Sequence, residues 1–100
     1  SAVRLMRGVR YQGSPDKAPA EPLTLYGVES SPYCRIVREV LSELGLPYVQ
    51  RSTPVGSARW AEVKAFGEPG TVPYLIDPNT GTALFESADI VHYLRSQYGR

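Results

Sequence analysis

The hundred-residue chain has one cysteine, Cys34, one histidine, His92, and a formal net charge of only +1. A single cysteine excludes an intrachain disulfide, so the fold must stand on its core; a lone thiol also fits a reducing compartment. The near-balanced charge gives no reason to expect nucleic acid or an anionic membrane as a partner. No apolar run approaches the roughly 18 residues needed to span a bilayer. The first ten residues hold three arginines but no apolar stretch of the kind a signal peptide carries. What remains is 42% apolar and 21% charged, the balance of an ordinary globular domain.

A chain of this length holds one modest core, which limits it to a small sheet with a few helices. Residues 1–22 read as an N-terminal arm and Pro-rich linker. Arg4, Arg7 and Arg10 make a small basic arm, and Pro15, Pro19 and Pro22 punctuate a stretch with almost nothing to bury. A nucleic-acid arm would carry more charge and be backed by a basic domain face. The linker points to a flanking domain in a longer chain. The domain proper is expected over residues 23–100.

Leu23–Tyr26 is a short β-type run that ends at Gly27. Ser31-Pro32 is a helix start, with serine suited to the N-cap and proline to the first turn. Ile36, Val37, Val40, Leu41 and Leu44 then recur at helical spacing as one apolar face, until Gly45 ends the helix and Pro47 follows. Tyr48–Ser52 alternates as a strand. Residues 58–66 form a short helix with Trp60, Val63 and Phe66 inward. Val72–Asp77 is a strand with its proline near the start, where proline is tolerated. Pro78-Asn79-Thr80-Gly81 is turn chemistry, joining it as a hairpin to Ala83–Glu86. Ser87 caps a last helix through about Tyr98. His92 lies on that helix with no nucleophile near it and reads as structural.

The predicted order is β-α-β-α-β-β-α. A β-α-β start is parallel and right-handed, and the closing hairpin is antiparallel. The expected α/β architecture is therefore a four-stranded mixed sheet with helices on both faces, the thioredoxin fold.

Three stretches stand where this fold builds a ligand site: Ser31-Pro32-Tyr33-Cys34, Thr71-Val72-Pro73 and Glu86-Ser87. On their order and spacing, residues 23–98 resemble the thioredoxin-like N-terminal domain of glutathione transferases, and also the glutaredoxins. The resemblance implies glutathione as the ligand and no metal. Glutaredoxins carry Cys-Pro-Tyr-Cys with the first cysteine as nucleophile; here that position is Ser31 and only Cys34 remains. A helix N-terminus stabilises a thiolate, so Ser31 is expected to donate a hydrogen bond to the thiolate of bound glutathione, as well as capping the helix; Ser30 is a neighbouring alternative.

The resemblance further implies that Pro73 follows a cis peptide bond, which lets the backbone of Val72 pair in strand fashion with the cysteinyl part of glutathione. Glu86 would hold the γ-glutamyl ammonium and Ser87 its α-carboxylate, at a helix N-terminus suited to anions. Tyr33 is expected either as a rim contact to the ligand or simply as an exposed aromatic. Arg51, Arg59, Trp60 and Lys64 are candidates for the glycyl end.

Two alternatives stand beside the transferase reading. One is a monothiol, glutaredoxin-like thiol–disulfide oxidoreductase that uses Cys34. It is weakened because Val28, with Glu29 beside it, stands where glutaredoxins have a glutathione-binding lysine, and because the first cysteine is missing. The other is a non-catalytic interaction module that kept the fold. Domains of this type also occur in tandem in photosynthetic organisms, so the compartment expected is reducing and intracellular, cytoplasm or plastid stroma.

Overall fold

Helix α1 spans Pro32–Glu43, and both of its ends are fixed by local chemistry. Ser31 is in extended conformation and its hydroxyl accepts the N–H of Cys34. At the other end Gly45 takes a φ of 66°, and two reversed bonds close the last turn: Leu46 N–H to Leu41 C=O at 2.9 Å and Gly45 N–H to Ser42 C=O at 3.1 Å. The buried stripe is Cys34, Val37, Val40, Leu41 and Leu44. Ile36, expected inward, is 44% exposed. It lies about 100° around the helix from Val37, off the stripe that faces the sheet, and Cys34 fills the inward place at the helix start.

The computed structural model describes residues 3–5, 11, 13 and 15–99. Arg7 and Arg10 of the basic arm lie outside the described residues. The strands are β1 (Val3–Leu5), β2 (Leu23–Gly27), β3 (Tyr48–Ser52), β4 (Tyr74–Asp77) and β5 (Thr82–Phe85); the other helices are α2 (Ala58–Ala65) and α3 (Ser87–Tyr98). The sheet order is β1-β3-β2-β4-β5. β2 and β3 are parallel, with Leu25 opposite Gln50, whereas β4 runs antiparallel to both β2 and β5. The four-stranded mixed sheet is thus present. β1 adds a fifth, antiparallel strand on the outer side of β3, pairing Arg4 with Gln50. The arm expected over residues 1–22 is therefore not all linker: it contributes this strand and a 3-10 turn at Pro15–Lys17.

Alternation along the strands sorts the core into two layers. Leu23, Leu25 and Leu75 face α1 and α3, where Val37, Leu41, Ile90 and Leu94 complete a fully buried cluster. Tyr26 and Tyr74 face the other way, onto Val63 of α2. Phe66, just past α2, stacks on Tyr74 with ring centres 4.9 Å apart while remaining 42% exposed. The Tyr26 hydroxyl donates to Glu62 at 2.9 Å, and burial together with that carboxylate raises its pKa. Ser57 caps α2 by accepting the Trp60 N–H. Glu43 and Arg95 tie α1 to α3 on the surface, a contact of little weight in water.

Asp77, at the end of β4, is completely buried on the α3 side of the sheet. Its carboxylate accepts the hydroxyls of Tyr93 and Tyr98 and both the backbone and side-chain N–H groups of Asn79. Burial alone would raise its pKa; the hydrogen bonds from Tyr93, Tyr98 and Asn79 outweigh that and hold it below the usual carboxylate range. Burial and the facing carboxylate push Tyr98 upward. Asn79 in turn accepts the N–H groups of Ala20 and Glu21, each at 2.9 Å, and Tyr11 donates to the Tyr98 carbonyl at 2.8 Å. The segment before β2 is thereby fastened to the hairpin and to the end of α3.

Gly27 closes β2 beneath the start of α1. A Cβ there would lie 2.8 Å from the Cys34 sulfur, so the helix can approach the strand only over a glycine. Gly27→Ala is expected to destabilise the fold by about 1–3 kcal/mol. The effect should shrink in a Cys34→Ala background; chemical-denaturation midpoints of the four proteins in that double-mutant cycle test it.

Candidate functional site

β2 and β3 end side by side, joined by the Thr53 N–H to Gly27 C=O bond at 3.0 Å. The tip of α1 rises from this end of the sheet. Its first turn offers few free donors: Pro32 has no N–H, and that of Cys34 goes to the Ser31 hydroxyl at 3.3 Å. The Tyr33 N–H stays outside the helix's own bonding, as the geometry of a helix start requires. The Ser31 oxygen is an acceptor in its cap bond, so its own proton is still available to donate. The tip therefore presents one N–H and one O–H.

The second corner is the segment leading into β4. The Val72–Pro73 bond is cis, as is Glu68–Pro69. The strand begins at Tyr74 rather than at Val72 as expected. Val72 therefore lies before the residues paired with β2 and β5, and its peptide groups fall outside that register. Its side chain packs on the Tyr26–Val63–Tyr74 cluster.

The third corner is the start of α3. The sequence suggests Ser87 as N-cap, but Glu86 holds the cap position and Ser87 is the first helical residue. The reason is the backbone: Glu86 has φ 72° and ψ 121°, the one non-glycine residue with positive φ among the described residues. That turn puts the Glu86 carbonyl in line to accept the Ile90 N–H at 2.9 Å and start the helix. No side chain caps α3. The Ser87 hydroxyl is thus not used as a cap, and the first-turn N–H groups face outward without helical partners.

These corners enclose a cavity of about 290 Å³ lined by Tyr33, Thr71, Val72, Pro73, Glu86 and Ser87. It brings together five residues singled out in the sequence: Tyr33, Val72, Pro73, Glu86 and Ser87. Tyr33 forms the rim and is 61% exposed. Ser31 does not line the cavity but stands two residues before Tyr33, at the head of the same helical turn. Cys34 is completely buried and lies under Gly27. Its sulfur lines no part of the cavity.

Arg51 and Arg59 share a separate hollow of about 470 Å³ beyond the end of β3. Trp60 and Lys64 do not line it. His92 is exposed on α3. Among the described residues no group of His, Cys, Asp or Glu could hold a metal ion, and no helix is long and apolar enough to cross a membrane. One residue near the site carries no signal in the sequence. Arg38, on the polar side of α1, reaches back to the loop before the helix and donates to the carbonyls of Val28 and Glu29, each at 3.3 Å. Only the fold shows those carbonyls within its reach.

Comparison with known proteins gives a consistent result. Residues 25–100 match the family described as glutathione S-transferase, N-terminal domain. A glutathione S-transferase-like protein of Aspergillus fumigatus, tpcF, is 36% identical over 78 residues, which is 78% of this chain and 34% of that protein. The solved glutathione transferase BmGSTD1 of Bombyx mori superimposes with a TM-score of 0.74 at 29% identity, over 83% of this chain and 38% of that one. The glutathione transferase URE2P6 of Phanerochaete chrysosporium, solved in complex with oxidized glutathione, gives a TM-score of 0.70 at 30% identity, over 79% and 37%. The chain spans about a third of the length of the curated relatives it matches. With a family match across residues 25–100 and the same fold in the solved relatives, the chain belongs to the glutathione S-transferase N-terminal domain family.

Proposed function

We propose that this domain binds glutathione and stabilises its thiolate in the manner of a glutathione transferase. The observation that carries this reading is the cavity shared by Tyr33, Val72, Pro73, Glu86 and Ser87 beside the tip of α1. At about 290 Å³ it lies near the small end of ligand pockets, roughly 300–1,000 Å³, so it would take the γ-glutamyl and cysteinyl parts and leave the glycyl end in the open. The Glu86 carboxylate would accept the γ-glutamyl ammonium. The Ser87 hydroxyl and the first N–H groups of α3 would take the α-carboxylate. The cysteinyl backbone would pair with Val72 as a short strand.

The thiol then lies toward α1. There the Ser31 O–H, the Tyr33 N–H and the positive end of the helix favour the ionised sulfur over the neutral one. Removing the proton from glutathione leaves a nucleophile for an electrophilic second substrate. The buried position of Cys34 weighs against the monothiol reading, because a sulfur under Gly27 meets a disulfide only if α1 moves away from β2. The flanking domain and the reducing compartment, cytoplasm or plastid stroma, belong to the same proposal.

The test is a glutathione titration followed by calorimetry and backbone NMR shifts, with the ultraviolet absorbance of the thiolate read against pH. Shifts are expected at Tyr33, Val72 and Ser87, with a bound thiol pKa below the free-thiol value of about 8.5. Ser31→Asp keeps a capping acceptor but has no proton to donate and adds a negative charge. It should retain the fold and raise the pKa of the bound thiol. No binding at millimolar glutathione, or a Ser31→Asp protein with an unchanged thiol pKa, would overturn the corresponding part of this reading.

A further inference from the structure

We propose that Arg38 is a positioning residue for the thiolate corner: its guanidinium fork fixes the loop that aims the Ser31 hydroxyl. This rests on reading the cavity as a glutathione cleft. Residues 28–31 connect the end of β2 to the start of α1. Glu29 and Ser30 are exposed and bury nothing that would hold the loop. Its one internal backbone bond joins the Ser31 N–H to the Val28 carbonyl, at 3.3 Å.

Arg38 supplies what is missing. From the second turn of α1 its Nη1 donates to the Val28 carbonyl and its Nη2 to the Glu29 carbonyl, both at 3.3 Å. Each bond, at 3.3 Å, is slightly longer than the usual range of about 2.7–3.2 Å and individually weak; together they hold two successive carbonyls to one rigid plane. The Val28 carbonyl therefore receives both Arg38 and Ser31, and the loop is stapled to the helix that it introduces. A lysine has a single ammonium and cannot reproduce the fork.

The consequence is chemical rather than merely structural. A donor stabilises a developing or bound anion only if it is already aimed, and small misplacements are expensive. The backbone just before Ser31 sets where its hydroxyl stands. Arg38 acts through that backbone and does not line the cavity. Its neighbour Arg35 pairs instead with Glu39 at 3.5 Å and has a side chain 72% exposed. It provides a control arginine on the same helix.

The experiment compares the wild-type chain with Arg38→Gln, Arg38→Lys and Arg35→Gln. Circular dichroism checks the fold, calorimetry gives glutathione affinity and thiolate absorbance gives the pKa of the bound thiol. In Arg38→Gln the thiol pKa should rise toward the free value of about 8.5. Affinity measured below that pKa should change by less than about twofold, because Glu86, Ser87 and Val72 still hold the peptide. Arg38→Lys should restore only part of the shift, and Arg35→Gln none of the defect. An Arg38→Gln protein whose bound thiol titrates as in the wild type overturns the positioning role alone. A wild-type protein that fails to bind glutathione, or to lower its thiol pKa, overturns the reading of the cleft and the role of Arg38 with it.

Discussion

Glu86→Ala combined with Ser87→Ala is expected to abolish glutathione binding as measured by calorimetry. Either single change should weaken it by about ten- to a hundredfold, the cost of losing one charge-assisted hydrogen bond. The backbone of Glu86 separates a ligand role from a structural one. Its φ of 72° is unfavourable for any residue with a Cβ and costs on the order of 1–3 kcal/mol. Glycine has no such cost. Glu86→Gly should therefore raise stability, by about 1 kcal/mol once the extra freedom of the unfolded glycine chain is subtracted. It should nonetheless bind glutathione as poorly as Glu86→Ala. A residue that destabilises the fold and is needed by the ligand is the pattern expected of strain kept at a working site. If Glu86→Gly binds as the wild type does, the carboxylate is not a ligand contact.

Asp77→Ala is expected to cause the largest loss of stability. Asp77 is fully buried and accepts hydrogen bonds from Tyr93, Tyr98 and Asn79. Deleting the carboxylate strands the buried Tyr98 hydroxyl and takes one acceptor each from Tyr93, which keeps its bond to Thr80, and from the backbone and side chain of Asn79, whose amide keeps the Glu21 carbonyl. Together with the cavity left behind this costs about 3 kcal/mol. For a domain of this size that lowers Tm by on the order of 15 °C. Calorimetric melts of Asp77→Ala and Asp77→Asn give the comparison, with Asn expected to lose less because it keeps one acceptor oxygen.

The same carboxylate sets a pH dependence. Its folded pKa lies below the unfolded value, which is about 3.9. Between the two values the unfolded chain holds a proton that the folded chain lacks. The contribution of Asp77 is thus complete above pH of about 4 and is lost as the pH falls through the lower, folded pKa. Acid titration of Tm should show this slope in the wild type and lose it in Asp77→Asn. An unchanged slope would assign acid unfolding to other carboxylates.

The parts of the molecule legible in sequence are those whose physics is local. Ser31-Pro32 and Gly45 marked the ends of α1 because a cap, a first-turn proline and a left-handed glycine act within a few residues. Tyr48–Ser52 could be read as a strand from its alternation. The three stretches of the cavity were legible as a set, since their order along the chain matches a family arrangement. The rest depends on partners far along the chain. β1 is three residues of an arginine-containing arm with no strand signal of its own, and only the ladder with Arg51, Gln50 and Val49 makes it one. Ser87 looked like a cap by residue type, but the backbone turn at Glu86 took that place. Asp77 read as the end of a strand, although its tyrosine partners lie 16 and 21 residues away. Arg38 looked like helix surface because the carbonyls it holds lie behind its own helix start.

The pairing of β1 with β3 bears on where a folding unit should be cut. A boundary drawn at Leu23 would keep every residue of the cavity, yet strip the outer side of β3 and leave a row of its backbone groups open to any passing extended chain. It would also remove Ala20, Glu21 and Tyr11 from Asn79 and the Tyr98 carbonyl. A minimal cleft and a well-behaved soluble unit are therefore different lengths of this polypeptide.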